Sequence, residues 1–320
     1  MSEEEIKLNA TNQALLDEIN SLYPDGTVFV QFHGKKSGYV RHDQATQKTL
    51  PGGLFIIVTD LTEPNYTASH ELLHLLMLLK GFPQIFFQLS LGDKELDEQM
   101  MIMSTDLYNV AVHRVVVAEQ RKHGLINDQI EEEYWKGVEH TLTKEGAKDD
   151  DERTLRLLTI LDALVFYGDH FDKFADRFKE NYPEALAAAQ KIYDEITAKP
   201  IKSPFDMRRT IIKVYSLFDE QMQQWGLPAL HNNEYTTVSP VLSERQLRLE
   251  MRQVFEIFHS DMKERGATKR AYVGLRRSDR QNSFTIEAPQ SNAPEYFKRV
   301  YDMPVKKFLE EHSVPYIVRK

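Results

Sequence analysis

The stretch His70-Glu71-Leu72-Leu73-His74 concentrates the chemistry-bearing residues of this chain. On an α-helix, residues four apart share one face about one turn apart, so the two imidazoles can grip a single ion. Glu71 points about 100° around that helix and can reach a water on the ion. Zinc favours nitrogen donors and in catalytic sites keeps one position open for water. The pKa of that water falls to ~7, and a nearby carboxylate can take its proton as it attacks a carbonyl. The flanks suit a buried helix. Thr67-Ala68-Ser69, Leu72-Leu73 and Leu75-Leu76 are all uncharged. The spacing therefore predicts metal-assisted hydrolysis.

Over this extended length the segment resembles the signature of the zincin metallopeptidases. The resemblance implies Zn2+ as cofactor, His70 and His74 as ligands, Glu71 as general base, and a peptide or protein substrate. It also implies a lobe in which a small sheet precedes the metal helix and an edge strand holds the substrate backbone. A third ligand must come from elsewhere. The metzincin pattern requires Gly at position 77 and His at 80, where this chain has Met77 and Lys80. The gluzincin pattern takes a Glu from a downstream helix, and Glu98, 24 residues beyond His74, stands in that place. The residues that follow it, Gln99-Met100-Met101-Ile102, depart from the small and acidic companions of that pattern. Asp106 and His113 are the alternatives, seven residues apart on one helix face. His113 would otherwise hydrogen-bond a developing oxyanion. Thr59 and Tyr66 are candidates for orienting substrate, Tyr66 also as an oxyanion donor.

The elements that must position these residues are legible around them. Asn12 to Tyr23 has apolar residues at helical spacing and stops at Pro24-Asp25-Gly26. Thr27 to Phe32 and Leu54 to Thr59 read as strands from their β-branched and aromatic content. The metal helix follows and should end near Lys80-Gly81. A long helix capped by Asp93 should run to Arg121-Lys122-His123-Gly124 and carry Glu98, Asp106 and His113. Further helices are expected from Asn127-Asp128 to about Thr141, from Leu155 to Tyr167, Pro183 to Thr197, Asp206 to Gly226 and Leu242 to Gly266. Glu145 to Arg153 is a charged connection. Arg270 to Leu275 and Ser283 to Ala288 suggest a hairpin, with Pro315 to Val318 a third strand and a short helix around Val305 to Glu311. The expected fold class is α+β and predominantly helical. Residues 1–145 form a zincin-like N-terminal lobe, 146–266 a helical lobe, and 267–320 a small α+β C-terminal segment.

Composition excludes several classes. The chain has no cysteine, so neither a disulfide framework nor a thiolate zinc site is available. Lys and Arg number 40 against 49 Asp and Glu, and the net charge of −9 argues against general affinity for nucleic acid. A basic cluster from Lys263 to Arg280 reads as a solvated hairpin rather than a binding patch. The most apolar stretch, Leu72 to Phe87, is broken by His74, Lys80, Pro83 and Gln84, short of the ~20 residues of a membrane span. No leader pattern precedes Asn12, so a cytoplasmic location is expected. No signal points to an oligomeric state. The segments FHGKKSGYVRHDQ, ASHELLHLLMLLKGFPQ and VVVAEQRKHGLI also resemble a group of bacterial proteins labelled the IpaB/EvcA family, a label that carries no chemistry. The expected activity is that of a zinc metallopeptidase. The alternative is a zincin-like regulatory or interaction protein without turnover.

Overall fold

The computed structural model describes residues 6–146, 151–287, 289 and 292–319. Helix α1 (Ala10–Leu22) opens on Asn9, whose side chain accepts from the Asn12 N–H. Strand β1 (Thr27–Lys35) follows the Pro24 turn, and β2 (Ala45–Leu50) and β3 (Gly53–Asp60) form a tight hairpin after it. Strand β1 runs parallel to β3 with Thr27 opposite Gly53, and β2 runs antiparallel with Ala45 opposite Val58. A Cβ at Gly53 would stand 1.8 Å from the Thr27 carbonyl oxygen, so only glycine lets the two strands start side by side. The resulting order is β1-β3-β2, and among the described residues no strand pairs with the far side of β2.

Helix α2 (Pro64–Leu79) carries the histidine pair and starts on Pro64, whose missing N–H costs nothing in a first turn. Its Leu72, Leu75 and Leu76 pack with Ile19 of α1 and with Val28, Leu54 and Ile56 of the sheet in one buried cluster. Each such side chain stabilises the docking of α2 by ~1.5–3 kcal/mol. Helix α3 (Lys94–Lys122) is capped by Asp93, which accepts from the N–H groups of Glu95 and Leu96. Helix α4 (Asp128–Thr141) is capped by Asn127, and α5 (Arg153–Tyr167) packs on it with Tyr134 and Phe166 stacked at 3.8 Å.

The α+β class holds, with helix predominating. The chain divides into two compact units, each made of two stretches. One comprises the residues up to Lys80 together with Val112–Tyr193, the other Gly81–Ala111 together with the residues from Asp194 onward. Boundaries at 145 and 266 were expected, but buried contacts cross both. Trp135 of α4 meets Phe178 edge-on at 4.8 Å, and Leu242, Leu247, Met251 and Phe255 share a core with Phe284, Val305 and Phe308. Part of the charged connection at 145–153 lies outside the described residues.

Two local expectations fail. The stretch Leu242 to Gly266 is not a helix: after two short helical turns, Phe255–Glu264 is a strand paired with Arg270–Arg276. Its aromatic and β-branched start gains more from cross-strand pairing than from the helical spacing of its apolar residues. The strand Ile317–Arg319 pairs with Val241–Ser243 and does not extend the hairpin of Arg270–Arg276 and Asn282–Ile286. Most of the basic cluster there is satisfied internally. Arg270 pairs with Asp261, Arg280 with Glu256 and Arg276 with Asp279, while Arg265 donates to the Leu89 carbonyl. Among the described residues, no helix is long and apolar enough to cross a membrane.

Candidate metal centre

Helix geometry brings His70 and His74 together as the spacing predicts, with their Nε2 atoms 3.2 Å apart. Two nitrogens sharing a tetrahedral zinc at 2.0–2.1 Å stand about 3.3 Å apart, so the pair already has the edge length of such a site. The lone pair of His70 is aimed by Gln120. That amide donates to the Ser69 hydroxyl at 2.7 Å and to the Tyr66 carbonyl at 3.1 Å, which turns its oxygen toward His70 Nδ1 at 3.5 Å. Burial first, and then the neighbouring imidazoles, hold both His70 and His74 well below the ordinary histidine range. Both rings are thus pushed toward the neutral form, the form in which an imidazole can bind a metal.

His113 of α3 joins this pair, its ring 4.7 Å from that of His70 and 5.1 Å from that of His74. Its Nδ1–H donates to Asp162 Oδ1 at 2.6 Å, which fixes the tautomer and leaves Nε2 as the lone pair. Asp162, on α5, is buried enough that desolvation alone would raise its pKa. The electrostatic pull of the His113 and His42 Nδ1–H groups, and their hydrogen bonds, overcome this and keep the carboxyl well below the usual carboxylate range. Tyr134 also donates to it, at 3.3 Å. A carboxylate behind an imidazole is the arrangement that orients metal-binding histidines and raises their basicity.

His42 is the residue that the spacing did not foretell. It stacks on His70 at 4.4 Å with the rings 9° from parallel and donates from Nδ1 to Asp162 Oδ2 at 2.8 Å. Its loop is seated on α4 by a hydrogen bond from the Val40 N–H to the Glu133 carbonyl. Gly137 allows that approach, since a Cβ there would meet the Val40 oxygen at 2.1 Å. A ring nitrogen from each of His42, His70 and His113 lies within 4.8 Å of the other two, so all three could contribute to a metal site. Both His42 nitrogens are engaged, however, for Nε2 lies 3.0 Å from the Tyr66 hydroxyl. His70 and His74, with their Nε2 atoms 3.2 Å apart, and the His113 ring 4.7 and 5.1 Å from theirs make a second possible set, one that leaves the His42–Tyr66 contact in place. Three neutral nitrogen donors, two at a tetrahedral edge length, fit zinc.

Glu71 is partly buried and accepts from Gln47 Nε2 of β2 at 3.0 Å. Burial raises its pKa, opposed by that hydrogen bond and by His42. The remaining expected site residues fall elsewhere. Glu98 is on α3 with His113 but fifteen residues earlier, roughly 22 Å along the helix axis. It is exposed, in the second unit, lining a hollow with Ser90, Asp97, Lys263 and Arg265. Asp106 is exposed two turns before His113, about 10 Å along the same axis. Of the three candidates for a third ligand, His113 is the one that stands beside His70 and His74. Tyr66 is buried with its hydroxyl on His42, and Thr59 is an exposed residue of β3.

Asp162, Gln120 and His42 were missed. Asp162 did leave a signal, since it is the one charge between Leu157 and Tyr167 of an otherwise apolar helix. Gln120 and His42 left none, because their role depends on which elements pack together. Comparison of the chain with family models, curated proteins and solved structures returns no match.

Proposed function

We propose that the chain is a zinc-dependent metallopeptidase whose first unit is a zincin-like lobe, with His70, His74 and His113 as the ligands. The observation that carries this reading is the convergence of His70 and His74 Nε2 at 3.2 Å beside an Asp162-oriented His113. Bound there, zinc supplies a Lewis acid that polarises a peptide carbonyl and makes water acidic near neutral pH. Glu71 accepts the proton of the attacking water on its carboxylate and returns it to the leaving amine. Its raised pKa suits a group that must hold that proton between the two steps. Gln47 keeps the carboxylate turned toward β2, whose unpaired edge offers an extended peptide a row of backbone partners. The proposed substrate is accordingly a peptide or protein segment in extended form, and the proposed location is cytoplasmic.

The test is Glu71→Gln in the full chain. It should keep one zinc per chain and lower peptide hydrolysis at least ~100-fold. Stoichiometric zinc with no cleavage of diverse peptides by the unaltered chain would refute the enzyme. It would favour a non-catalytic zinc-stabilised protein, a reading whose one support is that a His42 nitrogen stands within 4.8 Å of the cluster.

A further inference from the structure

Asp162 treats His42 as it treats His113. Its two oxygens stand 2.8 Å from His42 Nδ1 and 2.6 Å from His113 Nδ1, so each ring turns its Nε2 away from the carboxylate. His42 thus presents the same nitrogen as His113. What faces that nitrogen is the Tyr66 hydroxyl at 3.0 Å. We infer that Tyr66 caps a ready-made fourth ligand: by donating to His42 Nε2 it keeps His42 off the ion and leaves one coordination position open. This inference rests on the metal centre proposed above and adds the device that keeps it open.

The geometry allows the alternative that the cap prevents. A ring nitrogen of His42 lies within 4.8 Å of those of His70 and His113, against about 3.3 Å for nitrogens on one tetrahedral ion. The shortfall is at most about 1.5 Å, a distance that a ring tilt covers with the loop backbone still seated on Glu133 and Gly137. Four imidazoles would close the site in the manner of a structural zinc centre. Tyr66 is itself buried at 2% exposure, so if His42 left, its hydroxyl would lose its partner away from water. That penalty weighs against the four-histidine state by about ten-fold or more. Phenylalanine at this position carries no such penalty. Tyr66 is thus a positioning residue, acting on the metal through His42.

Cobalt titration of the full chain, followed by visible absorption, tests this. The unaltered chain should bind one Co2+ with the spectrum of a three-imidazole site. Tyr66→Phe should bind it about ten-fold tighter, with bands moved toward a four-nitrogen tetrahedral spectrum. Adding His42→Ala to that variant should restore the original affinity and bands. Unchanged affinity and bands in Tyr66→Phe, or a shift that survives His42→Ala, would overturn the cap. Should Tyr66→Phe fail to fold, His42→Ala alone decides. Affinity held within three-fold supports the cap, while a ten-fold loss means that His42 already ligates and overturns it. Absence of cobalt binding by the unaltered chain would remove the proposed metal centre and the cap together. Binding without a Tyr66→Phe effect would remove the cap alone.

Discussion

Replacing Asp162 by asparagine is the most informative single change at the centre. The carboxylate takes three donors: His113 Nδ1–H at 2.6 Å, His42 Nδ1–H at 2.8 Å and the Tyr134 hydroxyl at 3.3 Å. Asparagine keeps the shape but offers one accepting oxygen, and its NH2 must face one of the two rings. Facing His113, it drives that ring to the opposite tautomer and removes the lone pair proposed to bind the metal. Facing His42, it does the same to that ring, whose Nε2–H then meets the Tyr66 hydroxyl. Loss of a carboxylate behind a ligating histidine weakens metal binding ~10–100-fold, or about 1.4–2.7 kcal/mol. The upper half of that range is expected, because Asp162 serves two rings at once. Loss of the charge-assisted bonds should also lower the stability of the metal-free fold by ~2 kcal/mol. Zinc titration against a chromophoric chelator measures the first effect, and urea unfolding of the metal-free protein the second. A variant that folds and binds zinc within three-fold of the unaltered chain would refute the role of Asp162 in orienting the two rings.

Gly137→Ala puts a methyl group 2.1 Å from the Val40 oxygen. The His42 loop must then leave α4, lowering stability by ~2 kcal/mol in thermal or urea unfolding. Glu131 is 1% exposed and bonded by Arg121, His170 and Lys173. Burial would raise its pKa, but those three bonds bring it below its ordinary 4.5. Its contribution is therefore present above that value and lost as the pH falls through the lower folded value. Glu131→Gln should cost about 2 kcal/mol at pH 7, less than a wholly buried pair because its partners are partly exposed, and the difference should shrink toward pH 3. A difference independent of pH in paired urea titrations would show that the ion cluster does not stabilise the fold.

Much of the framework is legible in the order of residues because it is local. Helix α4 begins at the Asn127 cap, α3 ends with Arg121 and Lys122 before Gly124, and β3 follows the Gly52-Gly53 turn. The pairing of His70 with His74 is local too, a consequence of one helical turn. Strand β2 escaped notice because Ala45–Leu50 is mostly polar and exposed, as an unpaired edge tends to be. The choice of His113 over Glu98 proposed above turns on a related point. A sequence shows that Glu98 and His113 share a helix, but not which turn of that helix crosses α2. Asp162 and His42 lie 92 and 28 residues from His70 and meet it only through packing of α5 and the loop seated on α4. Long-range contacts of this kind leave no periodic trace, except where they force a charge into an apolar run.

The central claim is that one ion is held by His70, His74 and His113. Zinc content after exhaustive dialysis, compared for His113→Ala and Glu98→Ala, tests it most directly. One zinc per chain should survive Glu98→Ala and be lost from a folded His113→Ala. Zinc retained by His113→Ala and lost from Glu98→Ala would contradict the account.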